Sequence, residues 1–348
     1  MKKIRIGAIN WDAALPEDTF FGTHMQRTLS PEQYRNRIPF YADVKEGKLS
    51  FHRRTEAEFN QELEYAIRAG IDFFAYVWYS EESLKNLGYS FPDPGDVSGE
   101  VWELSEIRKY HLRSPLRDKI KMCAYLGAHP LTQADLVALA LQMQQSYYEK
   151  MGEQPLVFLF GGNMTALKDR LTAVCRLVGT KDPFFVFKDE APGSTPGDYV
   201  NADAIGAYGC GSGESRDYAG YMDRLVQYNE SLKRYQLPVL PVFSLGWNPM
   251  PRVTTPVPWV RYADQVYPEI PGRQQVYDSM VSFTAWLRAN ADNCCDHVLV
   301  FAWNEFEEGG FACPTLSEGG QPCTEILDGL TDAIRYLKTN LTENENVK

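Results

Sequence analysis

The chain has 348 residues, a length that α/β barrels use for one domain, and its 44% hydrophobic and 13% aromatic content supports a large core and excludes a disordered chain. A formal net charge of -11, a pI near 5.1 and the lack of any Lys/Arg-rich patch exclude an electrostatic nucleic-acid binder. No run of about 18 apolar residues is present and Ile4 to Ile9 is too short for a signal core, so the chain as given reads as soluble and not membrane-inserted. The cytoplasm stays open as its compartment, and so does the periplasm or the exterior if a leader has been removed.

Eight short apolar runs follow one another, most of them separated by a helix-like segment, which is the signature of parallel βα units. Ile4 to Trp11 is the first, ending Asn10-Trp11-Asp12, and a polar, aromatic loop to about Leu49 follows, with a helix starting at Ser30-Pro31-Glu32. Thr55-Glu56-Ala57-Glu58 opens an amphipathic helix with Phe59, Leu63, Ala66 and Ile67 on one face, and Gly70 ends it. The second strand, Ile71 to Tyr79, finishes in Trp78-Tyr79. Residues 80 to 105 carry Pro92, Pro94, Gly95 and Gly99 and read as a long loop or lid.

Ile120 to Leu126 is the third strand, leading to His129-Pro130, and Thr132 caps a helix running to about Met151. Pro155 to Phe160 is the fourth, followed by a helix from Ala166 to Val178. The fifth, Pro183 to Phe187, ends Lys188-Asp189-Glu190, and the sixth, Ala204 to Tyr208, exits through Gly209 to Gly213. That glycine run lacks the Lys-Ser/Thr of a phosphate loop and the spacing of a dinucleotide fingerprint. Asp217 to Tyr235 is a helix, and Pro238 to Leu245 is the seventh strand. A helix from Gln274 to Asn290 precedes the eighth, and Glu325 to Leu337 closes the ring. The expectation is a single (β/α)8 TIM barrel over residues 1–342 with long βα loops, and a disordered acidic tail at 343–348.

The chemistry collects on the eighth strand. His297 to Phe301 is an apolar, β-branched run, and it delivers Ala302-Trp303-Asn304-Glu305-Phe306-Glu307-Glu308-Gly309-Gly310 to the strand's C-terminal end, where a parallel barrel places its active site. Residues at the other strand ends add Trp11, Asp12, Trp78, Tyr79, Tyr208, Trp247, Asn248 and Arg252. Aromatics with carboxylates and few cations suit a carbohydrate cleft. Cleavage of a glycoside needs an acid for the leaving oxygen and a second carboxylate, and Glu305 with Glu308, three residues apart, supply both if the strand bends into its loop while Glu307 points away. Like-charge repulsion within such a pair raises a proton affinity towards neutrality. Taken alone, three glutamates after a strand also fit a solvated loop.

Five scattered His without HExxH, and seven Cys without a CxxC pair, give no metal site, and no cofactor motif is present. Most of the thiols read as buried. Cys313 and Cys323 could pair in an exported protein.

Ala302 to Gly309 resembles the AWNEW-x-EG signature of the glycoside hydrolase family 99 and WbsX-like group, retaining endo-α-mannosidases on a (β/α)8 barrel and their relatives. Gly246-Trp247-Asn248-Pro249-Met250-Pro251-Arg252 is similar to its GWD-x-x-x-R segment, and Gly70 to Tyr79 to its second strand. The resemblance implies Glu305 as the base and Glu308 as the general acid, acting through the sugar's own 2-hydroxyl and a 1,2-anhydro intermediate. It also implies a bacterial polysaccharide- or oligosaccharide-degrading hydrolase.

The chain departs from that pattern in Phe306 for Trp, Asn248 for Asp, and Ala312-Cys313-Pro314 where LEP is common. Substrate contacts are expected from Trp11, Asp12, Trp78, Tyr79, Tyr208, Trp247, Asn248, Arg252, Trp303 and Asn304. Two other readings stay open: a barrel that binds glycans without turnover, and a glycosyl transferase or transglycosidase for surface polysaccharide. The sugar, its linkage, endo or exo action and the oligomeric state are not fixed by the sequence.

Overall fold

The computed structural model describes residues 4–11, 20–78, 107–127, 131–161, 164–189, 201–209 and 215–342. Asp12, Tyr79, His129, Glu190, the 80–105 lid and the acidic tail lie outside these residues. So do most of the loop after the fifth strand and most of the glycine run after the sixth.

Every apolar run becomes a parallel strand of one sheet: β1 Arg5–Asn10, β2 Phe73–Trp78, β3 Lys121–Leu126, β4 Gln154–Phe160, β5 Phe184–Asp189 and β6 Ala204–Ala207. The seventh, β7, is split by Pro241 into Val239–Leu240 and Val242–Ser244, and β8 is His297–Phe301. Proline has no N–H to donate, so the strand changes partner there. Its first half pairs with β6 and its second half with β8, while β8 pairs with β1, and the ring closes through β7. This is the expected (β/α)8 barrel.

Strands buried on both faces carry the core, and all of β8 is buried. Gly7 is small for a reason: a Cβ there would fall 2.1 Å from the Phe73 ring of the adjacent strand, which fills the space above it. The N-terminal ends of the strands are tied by charge. The Arg5 guanidinium pairs with Glu149 and Asp72, and Glu149 also bonds the His297 imidazole at 3.1 Å, which in turn contacts Asp296 at 2.8 Å.

The helices follow their caps. Thr55 and Glu58 form a reciprocal capping box before α2 (Glu56–Ala69), which Gly70 ends with φ 85°, while Thr132 and Asp135 box α3 (Gln133–Gln142). Later come α4 (Thr165–Leu177), α5 (Tyr218–Ser231), a short α6 (Met250–Thr254), α7 (Arg273–Ala289) and α8 (Glu325–Thr342). No described helix is long and apolar enough to cross a membrane.

The structure corrects the helix boundaries expected in two regions. A helix, α1 (Phe20–Leu29), stands where a loop was expected, burying Phe21, Met25, Thr28 and Leu29, and the segment after Pro31 is only a 3-10 turn, Glu32–Arg37. α3 ends at Gln142 instead of near Met151, because the Tyr147 carbonyl and Glu149 N–H bond Met122 of β3 and peel the chain out of helix. The Cys313–Cys323 pairing that the sequence left open is not made, since both are free, one buried and one exposed.

Candidate active site

The loop after β8 is built to be rigid before it is reactive. Phe301-Ala302 is a cis peptide. Trp303 donates its N–H to the Ile9 carbonyl of β1, and its own carbonyl accepts from Ala312 and Cys313. The Trp303 side chain is fully buried against Phe74 and gives its indole N–H to Glu62 at 2.7 Å, and Glu62 is ion-paired with Arg54. Asn304 accepts from the Trp11 N–H at 2.7 Å and donates to the Trp11 carbonyl and to Asn10. Trp303 and Asn304, read as substrate contacts, are instead the bolts between this loop, β1 and α2. A fully buried ring has no face left for a sugar.

Just after the bolts the chain makes one 3-10 turn, Phe306–Glu308, closed by Gly309 at φ 74°, where a Cβ would strike Ile270 and Asn248. The turn carries Glu305, Glu307 and Glu308, all buried. Glu308 accepts from Arg252 and from the Tyr262 hydroxyl at 2.5 Å. Glu307 accepts from Arg252 at 3.1 Å and from Thr28 at 2.5 Å. Among the described residues the Glu305 carboxyl has a single weak bond, from the Tyr208 hydroxyl at 3.4 Å. Arg252 is 4% exposed and lies over the rings of both Trp11 and Trp259, at 5.3 and 5.7 Å.

Three carboxylates and one guanidinium in a dry site cannot all sit at their ordinary proton affinities. Burial first, and then the Glu308 charge, push Glu305 well above the carboxylate range, with Arg252 opposing. Burial would lower Arg252, yet Glu307, Glu308 and Glu305 together hold it well above its ordinary value. Tyr208 and Tyr262 are both raised, by burial and then by the glutamates, so each stays a phenol able to donate.

The other expected residues divide. Tyr208, Trp247 and Arg252 meet at the glutamates, with Trp247 5.1 Å from Phe301 and 6.1 Å from Tyr262. Trp11 lies within that group, edge-on to Trp259 and Phe21. Trp78 is half-buried under the Arg108 guanidinium at 3.9 Å. Asn248 is spent on the scaffold, accepting from Arg37 and donating to the Pro268 carbonyl.

Trp259 and Tyr262 were not foreseen. Both come from the irregular loop after α6, whose Pro256-Val257-Pro258-Trp259 start was its only signal. Lys188 is fully buried over Phe158 with no hydrogen-bond partner for its Nζ among the described residues, and burial drives it well below the ordinary lysine range. A cavity of about 820 Å3 lies on the far side of Phe311, between Ile38, Ile270 and Leu327, and neither Glu305 nor Glu308 lines it. Among the described residues no group of three or more His, Cys, Asp or Glu is set to hold a metal ion.

No family model matches the sequence, and no curated protein matches it. Solved structures do. A GH99 endo-alpha-mannosidase from Bacteroides thetaiotaomicron in complex with BIS-TRIS-propane superposes with a TM-score of 0.59 at 11% identity, covering 99% of both chains. A second structure of a GH99 endo-alpha-mannosidase from that organism gives 0.54 at 12% identity, again over 99% of both. What this chain shares with those enzymes, from end to end, is the fold.

Proposed function

We propose that the protein is a retaining glycoside hydrolase acting on an oligosaccharide or polysaccharide of α-mannoside type, with Glu305 and Glu308 as its working carboxyls. The observation that carries this reading is the turn after β8, which packs three buried glutamates around one guanidinium under Tyr208, Trp247 and Tyr262. So many anions at a strand's C-terminal end weaken a fold, and a reaction that moves protons needs them.

The pair works as one acid and one base. Ionised Glu305 takes the proton of the sugar's 2-hydroxyl, O2 attacks C1, the bond from C1 to the leaving oxygen breaks, and Glu308 protonates that oxygen. Water then opens the 1,2-anhydro sugar at C1, giving its proton to Glu308 while Glu305 returns its own to O2, and configuration is retained. The resting site favours the proton on Glu305, whereas the reaction needs it on Glu308. Two coupled carboxyls holding one proton reconcile these states, since binding has only to relocate it. A 2-hydroxyl donating to Glu305 supplies the hydrogen bond its anion lacks. Displacement of the Tyr262 hydroxyl by the leaving oxygen frees Glu308 to donate.

Incubation with α-mannans, N-glycans and bacterial surface polysaccharides tests this. New reducing ends from wild type and none from Glu308→Gln support it. A retained glycan with no product from either would move the reading to a binding barrel, and transfer to a sugar acceptor in preference to water would make it a transglycosidase.

A further inference from the structure

The reaction above leaves out Glu307, the third glutamate of the turn, at a position that the resembling signature leaves unspecified. Its placement is not that of a bystander. It is 2% exposed, and the Arg252 fork divides between two residues, Nη1 to Glu308 and Nη2 to Glu307, with no partner for Nε among the described residues. Both nitrogens of a guanidinium usually go to one carboxylate when only one is in reach. Thr28 of α1 seats the other oxygen of Glu307.

Building on the catalytic assignment of Glu305 and Glu308, we propose that Glu307 is a positioning residue that shares Arg252 as a counter-ion and so leaves Glu308 able to take up a proton. A buried carboxylate alone beside an arginine has its proton affinity lowered by about one to three pKa units, which would fix Glu308 as a permanent anion. Dividing the cation between two anions weakens its hold on each. The other groups around Glu308 do not do this. Tyr262 only donates a hydrogen bond to it, and Glu305, whose own proton affinity the Glu308 charge raises, is itself one of the reacting groups. Tyr208 donates to Glu305, and His24 of α1 lies near Glu307, where burial and Arg27 lower its own proton affinity.

The test is Glu307→Gln, which keeps the side chain's size and its contact with Thr28 but removes the charge. Proteins carrying carbon-13 in the glutamate carboxyls are titrated by NMR, the Glu308 signal being the one missing from Glu308→Gln. The proposal expects Glu308 in Glu307→Gln to titrate about one pH unit lower than in wild type. On a cleaved glycan, the alkaline limb of kcat should move down by the same amount with little change in KM. Thr28→Val, which loosens Glu307 without discharging it, should leave that limb in place.

An unmoved Glu308 midpoint overturns the proposal, as does a Thr28→Val profile displaced as far as that of Glu307→Gln. If Glu307→Gln does not fold, Glu307→Asp must move the midpoint the same way by less, and a fixed midpoint there is equally fatal. Wild-type turnover by Glu308→Gln would sink the catalytic pair instead, while the titration still decides what Glu307 does.

Discussion

Two buried arginines flank the loop after β8, and they are held in opposite ways. On one side Arg54 pairs with Glu62, lies 4.6 Å over the Tyr41 ring, and Glu62 takes the Trp303 indole N–H as well. On the other side Arg252 lies between Trp11 and Trp259 but answers to Glu307 and Glu308, with Glu305 close enough to raise it further. Each cation is shielded by aromatic rings. In the first cluster Glu62 meets Arg54 with one oxygen and the Trp303 indole N–H with the other, so the burial of its charge is compensated. The second is anion-rich by construction, with Glu305 short of donors. One loop thus has a side that anchors it and a side that stores proton affinity, and Trp303-Asn304 and Glu305-Phe306-Glu307-Glu308 divide those tasks between neighbouring residues.

The largest effect should come from breaking the reactive side. Glu305→Gln and Glu308→Gln should each lower the rate by at least about 10²- to 10⁴-fold, the usual worth of positioned acid–base help. Steady-state rates on aryl glycosides of the released sugar separate the two. A good leaving group needs no acid, so it should restore Glu308→Gln and leave Glu305→Gln slow. On the anchoring side, Glu62→Gln removes the buried carboxylate that meets both Arg54 and the Trp303 indole N–H, and a chemical denaturation curve should show a loss of about 3–5 kcal/mol.

Lys188 sharpens the contrast, being a buried amine whose Nζ has no hydrogen-bond partner among the described residues. Its proton affinity is lowered in the folded state, so as pH falls below the unfolded lysine value of about 10.4 the unfolded chain takes the proton first and stability drops. Stability conferred by the neutral amine is therefore full above that pH and lost on the way down to the folded value. Lys188→Met should gain at least about 1.4 kcal/mol at neutral pH, the cost of one pKa unit, and flatten that slope in melts taken from pH 7 to 11.

The smallest effect belongs to the far end of the barrel. Burial would lower His297, but its bonds to Asp296 and Glu149 and their charges raise it above the ordinary value. Its contribution to stability is whole below about pH 6.5 and fades as pH rises through the higher folded value. His297→Gln should remove that alkaline decline in thermal melts, with no effect on the turn after β8.

How much of this was legible in the sequence depended on whether the signal was local. The strands were, because apolar runs bounded by Gly and Pro have few other uses, and so were the α2 and α3 starts, because Thr55/Glu58 and Thr132/Asp135 are capping boxes. The helix α1 was hidden by Gly22 and Thr23, although Phe21, Met25, Thr28 and Leu29 keep helical spacing. The end of α3 was set by β3, a tertiary partner that no window of sequence contains.

In the site, strand-end position gathered Tyr208, Trp247, Arg252 and the glutamates. It could not tell which way a side chain faces, so Trp303, Asn304 and Asn248 were read as contacts when they bind the scaffold. Trp259 and Tyr262 come from a loop without periodicity, and only folding brings them beside Arg252 and Glu308.

The most direct test of this division is the thermal unfolding midpoint of Glu305→Gln beside wild type at neutral pH, which needs no substrate. A site kept for chemistry at the expense of stability should lose strain when a crowded, donor-poor carboxyl becomes an amide, so the midpoint should hold or rise. A midpoint that falls by several degrees would mean that Glu305 holds the fold together as Glu62 does, and would contradict the assignment of this turn to catalysis.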